Sequence, residues 1–273
     1  MRFSLIVATL GRKLELIEML TSIRKSLYDL DKVEVIIVDQ NERGFISNDI
    51  SDFIGLNIKY IHSEKKGLSY NRNIGLRAAT GDILCFPDDD CKLYEDTLSS
   101  AEFFLANNRL DFCMGRIFCR KNNLNIIKKW PTKITKVNKF NSYFLNSSIT
   151  LFVNKECLIE FDENLGVGAN FGSCEDADYI YCLLDNSAQG MYSPDIELWH
   201  PTPDFQDIPL SKVENYAAGF RYYIRKNNDV IKNVLFYLLI IKKIYQLMFL
   251  RKKFKPGYFK AFFRGIMNSE EVK

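Results

Sequence analysis

Apolar residues recur along the N-terminal third of the chain in two alternating patterns. Phe3 to Ala8 is apolar except at Ser4, and Val33 to Val38, Ile58 to Ile61 and Ile83 to Phe86 form three further runs of strand length. Between them, Leu14 to Leu27 sets Leu16, Met19, Leu20, Ile23 and Leu27 at the spacing of one helix face, and Gly67 to Leu76 reads as a loop entering a helix. Repeated strand and helix units predict a parallel sheet with helices on its faces. Ligands of such open sheets bind beyond the carboxyl ends of the strands. Thr9, Asp39 and the triplet Asp88, Asp89 and Asp90 all fall at predicted strand ends.

Beyond Asp90 the pattern loosens. Asp96 to Asn107 reads as a helix and Phe112 to Cys119 as a strand, while Lys121 to Asn141, with Trp130-Pro131, is expected to be a mobile surface loop. Ser147 to Val153 reads as a strand. Gly166 to Ser173 is Gly-rich and aperiodic, hence a flexible loop, and Glu175 to Leu184 follows as a helix with Ser173 as its expected cap. Ile196 to Leu198 is a last short strand.

Composition narrows the class. The chain has 273 residues, 47% of them hydrophobic, enough to bury the core of one α/β domain with an appendage. Seven cysteines without a Cys-x-x-Cys pair, beside only two histidines, argue against a zinc site or a disulfide framework and for a reducing compartment. Met1 to Val7 runs straight into a strand pattern without the features of a signal peptide, so a cytoplasmic location is expected.

The net charge of +3 hides an asymmetry: Val230 to Arg264 carries nine Lys/Arg and no acid, leaving 28 basic against 34 acidic residues elsewhere. Val234 to Ile241 is an apolar run, but Lys242-Lys243 interrupts it before it is long enough to cross a bilayer. Such a segment suits a helix resting on an anionic membrane surface, or a helix packed on the preceding domain with Lys242 and Lys243 on its wet side. No nucleic-acid motif accompanies the charge.

Three adjacent carboxylates repel one another unless a cation lies among them. Hard divalent ions take oxygen ligands, commonly one or two protein carboxylates together with substrate phosphate oxygens, so Asp88-Asp89-Asp90 suits a metal and diphosphate site. A solvated turn or helix N-terminus capped by Asp88 is the structural alternative. A second acidic pair, Glu175-Asp176, follows the Gly-rich stretch.

Four segments, Ser4 to Thr9, Val38-Asp39-Gln40-Asn41, Gly67 to Gly75 running into Phe86 to Asp90, and Gly166 to Asp178, together resemble the inverting glycosyltransferases of family 2. The resemblance implies an α/β GT-A fold: a mostly parallel central sheet flanked by helices, with a C-terminal helical, basic extension. It implies a catalytic domain over 1–205, with a nucleotide-binding half at 1–110 and an acceptor half at 111–205, followed by the extension at 206–273.

It also implies roles. Ala8, Thr9, Asp39 and Asn41 face the nucleotide, Asp39 accepting from a base N–H, and Arg12 and Arg72 approach the base or diphosphate. Asp88 and Asp89 lie near the ribose, Asp90 binds Mn²⁺ or Mg²⁺, and His200 completes the metal site. Asp176 is the general base, with Glu175 and Trp199 on the acceptor. The bland readings are a turn residue for Asp39, a solvated helix residue for Arg72, first-turn acids for Glu175 and Asp176, and structural histidines for His200 and His62.

The implied activity is transfer of a sugar from a nucleoside diphosphate sugar, UDP- or dTDP-linked, to a saccharide or lipid-linked saccharide of a surface polysaccharide. The implied partners are that donor, that acceptor and an anionic membrane surface met through 230–264, with no nucleic acid, and the implied location is the cytoplasm or the inner face of its membrane. A nucleotidyltransferase and a non-catalytic carbohydrate-binding relative are the alternatives.

Overall fold

The computed structural model describes residues 1–202, 208–226 and 229–267, so the expected boundary at 205/206 lies outside the described residues. In chain order the elements are β1 (Phe3–Thr9), α1 (Lys13–Arg24), β2 (Val33–Asp39), α2 (Ser47–Ser51), β3 (Asn57–His62), α3 (Leu68–Ala78), β4 (Ile83–Cys85), β5 (Lys92–Leu93), α4 (Thr97–Asn108) and β6 (Phe112–Cys119). There follow β7 (Leu124–Asn125), β8 (Thr135–Val137), α5 (Ser142–Leu145), β9 (Leu151–Asn154), α6 (Glu175–Asp185), β10 (Gly190–Trp199), α7 (Leu210–Arg225), α8 (Val230–Phe249) and α9 (Tyr258–Met267).

The strands form one sheet in the order β3-β2-β1-β4-β9-β6-β10-β5. β3, β2, β1 and β4 run parallel, β9 is antiparallel to both of its neighbours, and β10 is parallel to β6. β2 is buried along its whole length and β1 almost so, which is why both read as near-continuous apolar runs. Glu34 is the buried exception. Its Oε1 accepts from the hydroxyls of Ser4 and Thr80 and the backbone N–H of Thr80 and Gly81. Burial alone would raise this carboxyl, but the donors hold it below the usual range and tie β1 and β2 to the turn before β4.

The described residues divide into two compact units. The first comprises Met1–Lys66, Tyr70–Phe161 and Tyr179–Thr202; the second contains Gly67–Ser69, Asp162–Asp178 and the described residues beyond 207. The Gly-rich stretch and the start of α6 therefore belong with the C-terminal helices.

Several elements differ from expectation. The stretch 121–141 is not a loose surface loop: Trp130 is 4% exposed, stacks on Tyr192 at 6.3 Å and donates its indole N–H to the Ile126 carbonyl, while β8 pairs with β10. Its many lysines mask one aromatic anchor. α1 stops at Arg24, leaving Leu27 outside it, and the expected strand from Ser147 opens as a single 3₁₀ turn over Ser148–Thr150. Lys243 is not on the wet side of α8. Its ammonium donates to the Tyr258 hydroxyl at 2.7 Å and lies over the Tyr258 and Phe262 rings, which ties α8 to α9.

Candidate active site

The register of the parallel strands sets Thr9, Asp39 and His62 side by side at the carboxyl edge of β1, β2 and β3. Asp39 is fully buried. Its Oδ1 accepts from the backbone and side-chain N–H of Asn41, at 2.9 and 2.7 Å, and its Oδ2 from the Tyr60 hydroxyl at 3.0 Å. Asn41 in turn accepts from Gly11 N–H at 2.7 Å, linking the loops that leave β1 and β2. Ala8 is half-buried in β1 beside this edge, and His62 sets Nε2 2.9 Å from the Asn41 carbonyl. Tyr60 was not among the sequence candidates. Its only sequence signal is the alternation of β3, which does not say what a tyrosine hydroxyl will meet.

The triplet after β4 divides its partners. Asp89 is buried, with Oδ2 accepting from the Thr9 hydroxyl and Oδ1 from Arg12, both at 2.8 Å. Burial nevertheless holds its carboxyl above the usual range, against the opposing pull of Thr9 and Arg12. Asp88 instead pairs with Arg72, whose Nη2 lies 2.9 Å from Asp88 Oδ1 and 2.9 Å from the Ser148 hydroxyl. Arg72 is 1% exposed, with its guanidinium over the Phe161 ring. A solvated helix residue is thereby excluded, and Asp88 and Asp89 do not act as a matched pair.

Asp90 completes the group. Its Oδ2 is 2.6 Å from Arg12 and its Oδ1 3.3 Å from His200 Nε2. Burial pushes the Asp90 carboxyl up, but His200 and Arg12 bring it below the usual range; His200 is raised because Asp90 and Asp88 outweigh its own burial. His200 Nδ1 lies 2.7 Å from the Pro201 carbonyl, which only accepts, so Nδ1 carries a hydrogen and Nε2 faces the carboxylates.

Among the described residues, Asp90 Oδ1 is buried without a hydrogen bond, and one ligand atom each from Asp88, Asp90 and His200 lies within 4.8 Å of the others. A divalent cation would satisfy that oxygen and meet Nε2 as a lone pair, the usual arrangement when the other ring nitrogen of a histidine is held by a carbonyl. The donor set fits such an ion. Trp199, at the end of β10, lies under the Lys92 ammonium at 4.7 Å.

Glu175 and Asp176 are half-buried in the first turn of α6, in the second unit. The Gly-rich stretch before them is closely held. Gly166 N–H donates to the Phe171 carbonyl, Ser69 Oγ to the Leu165 carbonyl, and Phe171 stacks on Tyr222 at 4.4 Å. Gly166 has φ 101°, which L side chains rarely adopt. The Ser173 hydroxyl donates to the Tyr216 carbonyl, and Cys174, at φ 72°, supplies the carbonyl that accepts Asp178 N–H. Gly219 of α7 allows this approach, since a Cβ there would lie 2.6 Å from the Ser173 carbonyl oxygen.

Lys226, at the end of α7, joins both ends of the stretch. Its ammonium is 2.8 Å from Asp162 and 2.7 Å from Asp178, and the Tyr222 hydroxyl donates to Asp162. Burial first, then the carboxylates, act on the ammonium, and the carboxylates win, raising it. Sequence reading missed this clamp, although the acid at Asp178 in Glu175-Asp176-Ala177-Asp178 was its one visible half. Lys226→Met is expected to cost about 2–4 kcal/mol, somewhat less than the ~3–5 kcal/mol of a fully buried pair because the ammonium is a quarter exposed. A melting temperature lowered by about 5–10 °C would report it, and an unchanged one would remove the clamp from this account.

The profile of "Glycosyl transferase family 2" matches residues 4–168, more than half of the chain. The "Minor teichoic acid biosynthesis protein GgaB" of Bacillus subtilis (strain 168) is 25% identical over 213 residues, covering 69% of this chain and 24% of GgaB. The "Poly(ribitol-phosphate) beta-N-acetylglucosaminyltransferase TarS" of Staphylococcus aureus (strain Mu50) is 26% identical over 114 residues, 41% of this chain and 20% of TarS. The chain thus spans about a quarter of the length of these relatives or less. Among solved structures, S. aureus TarS 1-349 in complex with UDP-GlcNAc has a TM-score of 0.64 at 21% identity, covering 82% of this chain and 66% of that one. The mannosyltransferase PcManGT from Pyrobaculum calidifontis in complex with GDP-Man and Mn²⁺ has a TM-score of 0.63 at 19% identity, covering 82% and 63%. These likenesses establish the GT-A fold with its mixed sheet and C-terminal helices. The chain belongs to glycosyl transferase family 2.

Proposed function

We propose that this chain is an inverting glycosyltransferase that moves a sugar from a UDP- or dTDP-linked donor to a saccharide or lipid-linked saccharide of a surface polymer. The observation that carries the reading is the group of Asp88, Asp90 and His200 beside the strand ends that present Thr9 and Asp39. The names of GgaB and TarS, and the UDP-GlcNAc and Mn²⁺ bound by the solved relatives, support a nucleotide sugar, a cation and a cell-surface acceptor.

Asp39 accepts a base N–H through Oδ2, which keeps a lone pair after its bond from Tyr60, whereas Oδ1 already accepts twice from Asn41. Asp89, bound by Thr9 and Arg12, shapes the site from within, and Asp88, bound to Arg72 through Oδ1, meets ribose or cation with its remaining lone pairs. Arg12, half-exposed, turns from the carboxylates toward the diphosphate when a cation takes its place. Asp88, Asp90 and His200 would hold Mn²⁺ or Mg²⁺, the imidazole favouring Mn²⁺, and the ion supplies Lewis-acid stabilisation of charge on the departing nucleoside diphosphate. Asp176 takes the proton of the acceptor hydroxyl as it attacks the anomeric carbon opposite the phosphate, so one displacement inverts the configuration. Glu175 and Trp199 orient the acceptor.

Purified protein with Mn²⁺, given a panel of activated sugars, is expected to release UDP or dTDP from one of them, faster when acceptor glycans are added. Release of pyrophosphate would assign a nucleotidyltransferase instead. Binding without turnover of any donor would assign the non-catalytic alternative.

A further inference from the structure

We propose that α8 and the basic turn after it form a docking surface for an anionic phospholipid leaflet. α8 packs on α7 and, through Lys243, on α9, yet its other side is apolar too. Val234, Leu238, Ile241, Tyr245 and Met248 follow the four-three spacing of one helix stripe and, with Phe249, are each between 52% and 68% exposed. That stripe is roughly 22 Å long by helical rise. An exposed apolar stripe of this length calls for a cover.

The charge selects the cover. Among the nine Lys/Arg between Val230 and Arg264, Lys232 donates to the Tyr223 and Lys226 carbonyls, Lys243 to Tyr258, and Arg264 to Glu214. Lys242, Arg251, Lys252, Lys253, Lys255 and Lys260 are exposed. Five of these follow directly on the stripe. Beside them lies an open groove of about 840 Å³ whose floor includes Leu247, Phe254, Phe259 and Phe263, and whose lining includes Arg251, Lys252, Lys255 and Lys260.

An apolar floor beneath several cations has the chemistry of a phosphate headgroup with its acyl chain. A second copy of this chain would bring cations against cations, because no acid occurs between Val230 and Arg264 to meet them. Among the described residues no helix is long and apolar enough to cross a membrane, so α8 lies along the surface. The surface thus joins a greasy stripe that inserts and a basic cluster that holds headgroups.

Co-sedimentation of the full chain with vesicles tests this without donor, acceptor or cation, so its outcome is independent of the glycosyltransferase reading. The chain is expected to bind phosphatidylcholine vesicles containing a third phosphatidylglycerol, and to bind pure phosphatidylcholine at least tenfold more weakly. The triple substitution Lys252→Gln, Lys253→Gln, Lys260→Gln and the pair Leu238→Asn, Ile241→Asn are each expected to weaken binding to the anionic vesicles at least tenfold. Both sets lie on the surface, and an unchanged melting temperature confirms that each variant is folded. Failure to bind anionic vesicles, or equal binding to both compositions, overturns the proposal. So does a dimer in solution that the Leu238, Ile241 pair splits without any change in vesicle binding, which would assign the stripe to a second copy.

Discussion

Asp90→Asn is expected to lower donor turnover by about 10²–10³-fold at saturating Mn²⁺, the scale seen when a principal charge stabiliser is removed from a reaction centre. The substitution keeps the shape of the side chain and its neighbour Arg12, but removes the negative charge from the atom that faces His200. Two effects then add. The cation loses a ligand, and the remaining pair of Asp88 and His200 is too poor in charge to hold it against water. The melting temperature should change little, because the carboxylate makes no bond that carries the core. A variant with near-parental turnover, measured as UDP or dTDP release, would mean that the triplet is a capped turn after all.

The second large effect is expected at Asp176. Asp176→Asn should lower transfer to acceptor by about 10²–10⁴-fold, the range for loss of a general base, while the KM for donor stays within a factor of about two. That split separates a base from a structural acid. A first-turn acid that merely suited the helix dipole would instead lower stability by about 0.3–1 kcal/mol and leave turnover intact. If Glu175→Gln rather than Asp176→Asn abolished transfer, the roles of the two acids would be exchanged.

What the sequence makes legible follows from how many constraints act on each residue. β1 and β2 are buried on both faces, so their composition has little freedom, and the ends of those strands locate Thr9 and Asp39 from the chain alone. The acidic triplet is likewise visible because three adjacent carboxylates demand an explanation. Its internal division is not visible. Whether Asp89 or Asp88 turns toward Thr9 depends on the path of a loop, and the sequence contains no period to read there.

Contacts distant in sequence stayed hidden for the same reason. Neither the bonds of Arg72 to Asp88 and Ser148 nor those of Lys226 to Asp162 and Asp178 can be read from the chain, because each joins residues far apart in sequence. Trp130 is lost among lysines, one of which, Lys128, lies over its ring. In the tail, apolar and basic composition was plain, but the assignment of Lys243 to α9 and of Tyr245 to solvent depended on which side of α8 its neighbours cover.

Binding of UDP by calorimetry, with and without Mn²⁺, in the parent chain and in Asp90→Asn, tests most directly whether Asp88, Asp90 and His200 hold the cation on which a nucleoside diphosphate docks. Mn²⁺ is expected to strengthen UDP binding at least tenfold in the parent and to do nothing in the variant. Equal UDP affinity with and without the ion in the parent chain would contradict it.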